Sequence, residues 1–267
     1  MKEELISSAQ NPRIKLIRAL VGRSRERREA GAFVVEGVRL IEEALTSGWP
    51  FRFVIHNGEV SARGLELVAR IQDGGVELYR VSASLMESVS ETEASQGILA
   101  VVAVEQPQPA HALDFVLIAD AVRDPGNLGT LLRTAEAAGV DAVLLATGTT
   151  DAFAPKVVRA GMGAHFRLPI YEVSWDEVRT QVAAYHWNVY AADMLGRSCW
   201  ETEFRHPLAM IIGGEAEGVG AAARQVASET VSIPMQGKAE SLNAAVAGAV
   251  LMFEVARQKT SNTKHPK

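Results

Sequence analysis

Three polar segments that contain glycine follow predicted strands in the second half of the chain. The first covers residues 120–129 and leads to Arg133, the second covers residues 213–218, and the third covers residues 233–247. Ligands of parallel α/β sheets bind beyond the carboxyl ends of the strands. These segments are therefore the places where side chains are expected to meet a ligand and act on it.

The first segment combines a helix start with an arginine one turn further on. Asn127 is well suited to cap the helix, and Gly139 is typical of a helix end. Arg133 lies four residues after Gly129, so its guanidinium would pass over a residue without a side chain and approach the strand ends. A helix N-terminus with an arginine suits a phosphate group, although a capped helix with a surface arginine would show the same spacing.

The second segment carries two carboxylates in a glycine loop. Adjacent Gly213 and Gly214 allow a ligand to approach the backbone closely, and Glu215 or Glu217 could orient a hydroxyl or an arginine. The glycines lack the G-x-G-x-x-G spacing of a dinucleotide site. An exposed acidic loop is the alternative interpretation of this segment.

The third segment leads into the last predicted helix, at about residues 242–257. Ser241 can cap this helix, and Asn243 lies in its first turn. Ala247 and Gly248 belong to a stripe of small residues that permits close backbone packing. The segment therefore predicts a buried helix with polar residues at its start.

The order of these segments resembles the three motifs of the SpoU (TrmH) family of RNA methyltransferases. The matching patterns are N-x-G-x-x-x-R in residues 127–133, G-G-E-x-x-G in residues 213–218, and I-P-M…S-L-N-x-x-x-A in residues 233–247. The resemblance covers residues 113–258. Residues 6–37 also resemble the family's substrate-binding domain, which has an L30e-like fold.

The resemblance implies an α/β protein with two domains. Residues 113–267 would form a methyltransferase domain of the SPOUT type, a parallel sheet whose chain makes a trefoil knot. Residues 1–105 would form a smaller L30e-like domain that binds the RNA substrate, and the proline-containing residues 106–112 would link the two. The resemblance also implies a homodimer through the C-terminal domain, with S-adenosylmethionine (SAM) as the cofactor bound in the knot.

Motif position implies which residues act in the site. The family's functional polar positions correspond to Asn127, Arg133, Glu215, Ser241 and Asn243. Glu215 is favoured over Glu217 because it directly follows the glycine pair. The positions that bind SAM, largely through backbone groups, correspond to Thr147, Gly213, Gly214, Ile233, Met235 and Leu242.

The implied reaction is the transfer of a methyl group to a ribose 2′-hydroxyl. It needs in-line placement of oxygen, methyl carbon and sulfur, together with removal of a proton. We expect Arg133 to hold a phosphate and orient the hydroxyl rather than act as a base, because an unperturbed arginine has a pKa above ~12. Water and an RNA phosphate both stay open as the proton acceptor.

The hydrophobic pattern predicts the elements that must position these residues. Nearly continuous apolar runs at residues 115–119, 142–146 and 188–192 predict buried parallel strands. Shorter runs at residues 210–212 and 231–233 predict two more, and helical patterns lie between them. Repeated strand–helix–strand units of this kind imply a mostly parallel sheet with right-handed crossovers.

Basic residues are concentrated near the ends of a chain whose net charge is −5. A predicted helix at residues 12–29 is rich in arginine, and we expect it to contact structured RNA. Ribosomal RNA is the first choice, because the resembled fold binds structured ribosomal RNA, and transfer RNA is the second. A solvated helix face is the alternative. The arginines assigned to RNA binding are Arg13, Arg23, Arg25, Arg27 and Arg28.

Other features exclude other classes of protein. The single cysteine, Cys199, and the lack of a signal-peptide or membrane-span pattern indicate a cytoplasmic protein. A metal site is not expected, because the sequence lacks residues at the spacing of metal ligands. A nucleotide-dependent oxidoreductase would need the missing dinucleotide pattern. A non-catalytic RNA-binding module would be expected to lose Asn127 or Arg133. A knotted enzyme that methylates a base nitrogen is disfavoured by the S-L-N motif and the L30e-like domain.

Overall fold

The computed structural model describes residues 4–92, 95–106, 113–215, 217–238 and 240–264. The chain divides into two compact units. Unit 1 consists of Met1–Gln106 and Phe153–Phe166, and unit 2 consists of Pro107–Ala152 and Arg167–Lys267. Apart from Gln106, the expected linker at residues 106–112 lies outside the described residues.

The strands and helices are numbered in chain order. The strands are β1 (Glu4–Ile6), β2 (Ala32–Glu36), β3 (Phe51–His56), β4 (Leu78–Val81), β5 (Ile98–Ala103), β6 (Phe115–Asp120), β7 (Ala142–Ala146), β8 (Ile170–Val173), β9 (Asn188–Ser198), β10 (Leu208–Gly213) and β11 (Glu229–Ser232). The helices are α1 (Pro12–Gly22), α2 (Ser24–Ala30), α3 (Val38–Thr46), α4 (Ala62–Asp73), α5 (Ala83–Glu87), α6 (Pro125–Ala138), α7 (Pro155–Gly161), α8 (Trp175–Tyr185), α9 (Ala221–Val226) and α10 (Ala244–Lys264). A short 3₁₀ helix covers Ala164–Phe166.

Unit 1 is built on a mixed sheet with the strand order β1-β4-β3-β5-β2. Strand β5 runs antiparallel to both of its neighbours, whereas β1, β4 and β3 are parallel. Alternate residues of β2 point to opposite faces, so Val34 packs with Ile14 and Leu20 of α1, while Phe33 packs with Ile41 of α3. The sheet therefore has an apolar core on each face.

The basic stretch forms two helices rather than the single helix predicted at residues 12–29. Arg23 is extended (φ −137°, ψ 127°) and separates α1 from α2. This turn brings the buried Arg27 back to the end of α1, where its guanidinium donates hydrogen bonds to the carbonyls of Leu20 and Val21. Those carbonyls would otherwise lack helical partners. A guanidinium that is buried in this way cannot reach a phosphate, which contradicts the assignment of Arg27 to RNA binding.

Residues 153–166 lie in the stretch assigned by sequence to the second domain, yet they pack in unit 1. The Phe33 ring centroid lies 4.9 Å from that of Phe153 and 6.4 Å from that of Phe166. Trp49 Nε1 also donates to the Phe166 carbonyl at 3.1 Å. Sequence periodicity predicted helix α7 with its observed bounds, but it carried no information about which sheet this helix covers.

Unit 2 is built on a parallel sheet of six strands in the order β11-β9-β10-β6-β7-β8. Strand β8 was not predicted, because Glu172 interrupts its short apolar run. Helices α8 and α9 cover one face through Val178 and Ala223. On the other face, α10 approaches α6 so closely that a Cβ on Gly248 would lie 2.4 Å from Leu131 Cδ2. In the described ranges, no helix combines the length and apolarity that a membrane crossing requires.

Candidate active site

The first polar segment places Asn127 inside α6 rather than at its cap. The helix begins at Pro125, and the Asp124 side chain accepts a hydrogen bond from the Asn127 backbone N–H at 2.8 Å. The predicted cap at Asn127 is therefore wrong, because Asp124 precedes the helix and proline suits the first helical position. The helix ends at Gly139 in the left-handed conformation, as predicted. The Asn127 side chain is consequently available to the site.

The third polar segment places Asn243, rather than Ser241, at the cap of α10. The Asn243 side-chain oxygen accepts hydrogen bonds from the N–H groups of Ala245 at 2.9 Å and Val246 at 3.3 Å. Asn243 precedes the first helical residue, so its carbonyl oxygen satisfies the open N–H groups of the first turn. Its amide nitrogen stays available for another partner, and Ser241 is exposed before the cap.

A chain of hydrogen bonds joins the three polar segments. Asn243 Nδ2 donates to Asn127 Oδ1 at 3.0 Å, and Asn127 Nδ2 donates to the carboxylate of Glu215. Asn127 thus uses its carbonyl towards one segment and its amide towards the other. This asparagine–glutamate network connects residues that lie more than a hundred positions apart, so the strand ends of the sheet do bring the segments together.

The glycine loop (residues 213–218) is held in contact with backbone on both sides. A Cβ on Gly213 would lie 2.2 Å from the carbonyl carbon of Gly218, and a Cβ on Gly214 would lie 2.4 Å from the carbonyl oxygen of Ala121. The Gly218 N–H also donates to the Gly214 carbonyl at 3.0 Å. Backbone therefore occupies the position that a side chain would take at each of these two glycines.

Asp120, the last residue of β6, fixes both ends of the glycine loop. Its backbone carbonyl accepts from the Gly214 N–H at 2.9 Å. Its carboxylate is buried and accepts from the Gly220 N–H at 2.7 Å. These two hydrogen bonds hold the loop at the strand end.

A cavity of about 530 Å³ lies beside the glycine loop in unit 2. Its walls come from the ends of β9, β10 and β11 and from the start of α10. Its volume lies within the range of small-molecule sites, roughly 300–1,000 Å³. The predicted site residues that line it are Gly213, Gly214, Glu215, Ile233, Met235, Ser241 and Leu242.

Sequence analysis missed the ion pair in this cavity, between Asp193 and Arg224. Asp193 directly follows the strand predicted at residues 188–192, so the search beyond strand ends could have found it. Arg224 had no local signal, because only the fold brings it to the cavity. The pKa of Asp193 lies below its usual value, mainly because the Leu195 N–H donates to its carboxylate, and the Arg224 hydrogen bond lowers it further against the effect of burial.

Carboxylates dominate the charge of the cavity. Glu215, Glu217 and Glu240 line it, while Asp193 is neutralised by Arg224. Such a lining attracts a cationic ligand. Within the described parts of the chain, no group of three or more His, Cys, Asp or Glu side chains has a metal-binding arrangement.

Two predicted residues lie outside the cavity lining. Arg133 is exposed on α6, one turn after the buried Gly129, and no hydrogen bond or ion pair engages it within the described residues. Its guanidinium is therefore available to an external anion. Thr147 is exposed after β7 and does not line the described cavity, so its assignment to cofactor binding stays a prediction.

The arginines assigned to RNA binding differ in their surroundings. Arg13 donates to Glu77 at 3.1 Å and is partly buried. The side chains of Arg23 and Arg25 are 78% and 83% exposed, and each pairs with a glutamate one turn away. Arg28 is exposed as well. Exposed ion pairs are worth at most about 1 kcal/mol, so the arginines around α2 can exchange these glutamates for phosphate groups.

The parallel sheet, the glycine loop and the cavity beyond the strand ends agree with the methyltransferase domain that the resemblance implied. Residues 114–253 match the SpoU rRNA Methylase family, and residues 11–100 match the MRM3-like substrate binding domain. The first match covers more than half of the chain. The chain therefore belongs to the SpoU rRNA methylase family.

Individual relatives cover nearly the whole chain. It is 36% identical to the 23S rRNA (guanosine(2553)-2′-O)-methyltransferase RlmP of Bacillus subtilis, over 94% of this chain and 98% of the relative. It is 32% identical to the 23S rRNA (uridine(2479)-2′-O)-methyltransferase of Streptomyces viridochromogenes, over 95% of this chain and 92% of the relative. The crystal structure of the SpoU methyltransferase AviRb from S. viridochromogenes, in complex with the cofactor AdoMet, superposes with a TM-score of 0.87 at 32% identity, covering 94% of this chain and 99% of that one.

Replacement of Gly214 by alanine tests the backbone contact of the glycine loop. We expect Gly214→Ala to lower the free energy of unfolding by about 1–3 kcal/mol, because the new Cβ has to displace backbone. Urea denaturation measures this change. Gly237→Ala is the matched control, since no atom lies within 4 Å of a Cβ at Gly237. Equal stability of the two variants would show that the loop does not depend on this contact.

Proposed function

We propose that the protein transfers a methyl group from SAM to a ribose 2′-hydroxyl of ribosomal RNA. The observation that carries the proposal is the asparagine–glutamate network of Asn243, Asn127 and Glu215, which links hydrogen-bonding groups of the three polar segments to the cavity through Glu215. The names of the two relatives support it, because one modifies a guanosine and the other a uridine, yet both modify the 2′ oxygen. The ribose, rather than the base, is what these acceptors share.

The chemistry of the cavity fits SAM. Ile233, Met235 and Leu242 offer apolar surface for an adenine ring. The cavity carboxylates, with Glu215 and Glu217 among them, favour the positive charges of the sulfonium and the amino group. When bound, SAM supplies an electrophilic methyl group. The protein's own residues have to bring the ribose oxygen to it.

The asparagine–glutamate network orients Glu215 for this task. Because Asn127 already donates to one oxygen of Glu215, the carboxylate is fixed and its remaining lone pairs can accept a hydrogen bond from a hydroxyl. Glu217 lines the cavity but has no link to the network among the described residues. This difference favours Glu215 as the group that positions the acceptor hydroxyl and lowers the cost of removing its proton.

Arg133 completes the site as a phosphate-binding group. Its exposed guanidinium lies on α6, the helix that also carries Asn127. A planar guanidinium can bind two phosphate oxygens at once, which fixes the RNA backbone on either side of the acceptor ribose. We therefore assign Arg133 to substrate orientation, with the proton passed to water or to an RNA phosphate.

The trefoil knot that the family resemblance implies is part of the same proposal. A segment that threads through a loop has to pass other backbone without room for side chains. The approach of Gly214 to Ala121 is a contact of this kind, because it joins segments that are far apart in the sequence. This contact supports a threaded chain at the cavity.

We also propose a homodimer through unit 2. Val246 and Phe253 lie on one face of α10, two turns apart, and are 47% and 51% exposed. Leu242, four residues before Val246, lines the cavity, so this apolar stripe begins at the cavity mouth. A second copy of the chain that covered the stripe would also shield the site from water.

Asn127→Asp tests the proposed reaction. The variant keeps the size of the side chain but sets a carboxylate against Glu215, so we expect kcat to fall by about a hundredfold or more. Methyl transfer from labelled SAM to ribosomal RNA measures the rate, and resistance to alkaline cleavage maps the 2′-O-methyl group. Asn11→Asp is the control, because Asn11 caps α1 with an oxygen that aspartate retains. A methyl group found on a base would contradict the proposed reaction.

Phe253→Glu tests the dimer. A charge in the apolar stripe should shift the protein to a monomer at micromolar concentration, because an unpaired buried charge opposes association. Sedimentation velocity measures the change. Leu65→Glu is the control, since Leu65 is 54% exposed on α4 of unit 1. An active wild-type monomer at these concentrations would overturn the dimer.

Neutralisation of the arginines around α2 tests the role of unit 1. We expect the triple variant Arg23→Gln, Arg25→Gln and Arg28→Gln to bind RNA more weakly and with a smaller salt dependence, by roughly one unit of slope for each lost phosphate contact. Filter binding at several salt concentrations measures both. The double variant Arg63→Gln and Arg70→Gln on α4 is the control. The same affinity and slope as wild type would mean that these arginines are only solvated.

A further inference from the structure

Strand β9 contains a bulge that forms one wall of the cavity. Tyr190 and Ala191 pair with β11, and pairing resumes only at Arg197 and Ser198, while β11 itself continues without a break from Thr230 to its next residue. The five residues between, 192–196, therefore loop out of the sheet and are called the β9 bulge. Three of them, residues 192–194, line the cavity.

The far end of the β9 bulge is fixed by close packing. A Cβ on Gly196 would lie 2.6 Å from the backbone of Thr230 and Val231, so only glycine lets the chain return here. The Ser232 hydroxyl donates to the Gly196 carbonyl at 2.8 Å. The near end has no such packing, and it depends on side-chain bonds.

Asp193 holds the near end of the β9 bulge with both carboxylate oxygens. Oδ1 accepts from the Leu195 N–H at 2.9 Å, and Oδ2 accepts from Arg224 Nη1. The Asp193 side chain is only 13% exposed. With both oxygens engaged, Asp193 shapes the wall and is poorly placed to bind a ligand itself.

Arg224 connects Asp193 to the segment that follows the glycine loop. Its Nε donates to the carbonyl of Val219 at 3.1 Å, while its Nη1 binds Asp193. Val219 follows the glycine loop and lines the cavity. One guanidinium thus joins the β9 bulge to the segment that follows β10, which the fixed fork of an arginine allows and an ammonium group does not.

We propose that Asp193 and Arg224 are positioning residues that set the separation of the two cavity walls and thereby the affinity for SAM. The inference rests on the proposed function. The pair shares no hydrogen bond with the asparagine–glutamate network among the described residues. Its loss should therefore weaken cofactor binding without changing how the network orients the acceptor hydroxyl. The pKa of Asp193 lies below its usual value, so the carboxylate stays ionised and the pair is lost only as the pH falls through the folded pKa.

Calorimetric titration of the full-length protein with SAM tests the proposal. We expect Arg224→Gln and Asp193→Asn each to raise the Kd for SAM by about tenfold, the loss expected for a charged hydrogen bond. Arg224→Lys keeps the charge but loses one of the two bonds, and it should fall between these variants and wild type. The Kd of the double variant for SAM should not exceed that of the single variant with the higher Kd, because both substitutions remove the same interaction.

Arg179→Gln is the matched control, since Arg179 donates to Gln225 of α9 at 3.4 Å but does not line the cavity. The kcat at saturating SAM and the KM for RNA should stay within about twofold of wild type in all single variants, which a general loss of structure would not allow. A Kd within twofold of wild type for both Arg224→Lys and Asp193→Asn overturns the proposal, as does a lower kcat at unchanged Kd. If wild type itself bound no SAM, the proposed function would fail instead.

Discussion

The contact of the glycine loop with the backbone that follows β6 is the constraint on which the site depends. Gly214 lies against Ala121 with no room for a side chain, and Asp120 accepts hydrogen bonds from both ends of the loop. Because the loop cannot move away from β6, Glu215 is held at the start of α6, where Asn127 meets it. The position of the glycine loop in turn determines where the cavity walls, the asparagine–glutamate network and the first turn of α10 lie.

Two separate sets of polar bonds then stabilise the two sides of the site. The asparagine–glutamate network joins the starts of α6 and α10 to the glycine loop, and the pair of Asp193 and Arg224 joins the β9 bulge to α9. In a parallel sheet the carboxyl ends of the strands lie at one edge, but the sheet does not fix the conformation of the loops that follow them. The division lets the shape of the cofactor cavity and the orientation of the acceptor be adjusted independently, because no described bond links the two sets.

Sequence patterns predicted the elements well where burial or a clear cap decides the outcome. The apolar run of β7 and the helices α7 and α8 were predicted with their observed bounds, and three motif segments were placed at one edge of the sheet. Errors arose where neighbouring residues compete for one role. Asp124 and Asn127 are both good caps, and only the folded chain decides between them. The β9 bulge escaped prediction because its register is set by packing against β11, which leaves no local periodicity.

The segment at residues 153–166 shows why a local pattern cannot define a structural unit. Its helix follows β7 in sequence, yet Phe166 is buried, and Phe153 is partly buried, against Phe33 of unit 1. The chain therefore passes between the units three times, before and after this segment as well as near Gln106. Removal of residues 1–106 would expose these aromatic rings to water, at a cost of roughly 1.5–3 kcal/mol for each buried ring. A unit of this kind cannot be exchanged alone, because residues 153–166 have to change with it.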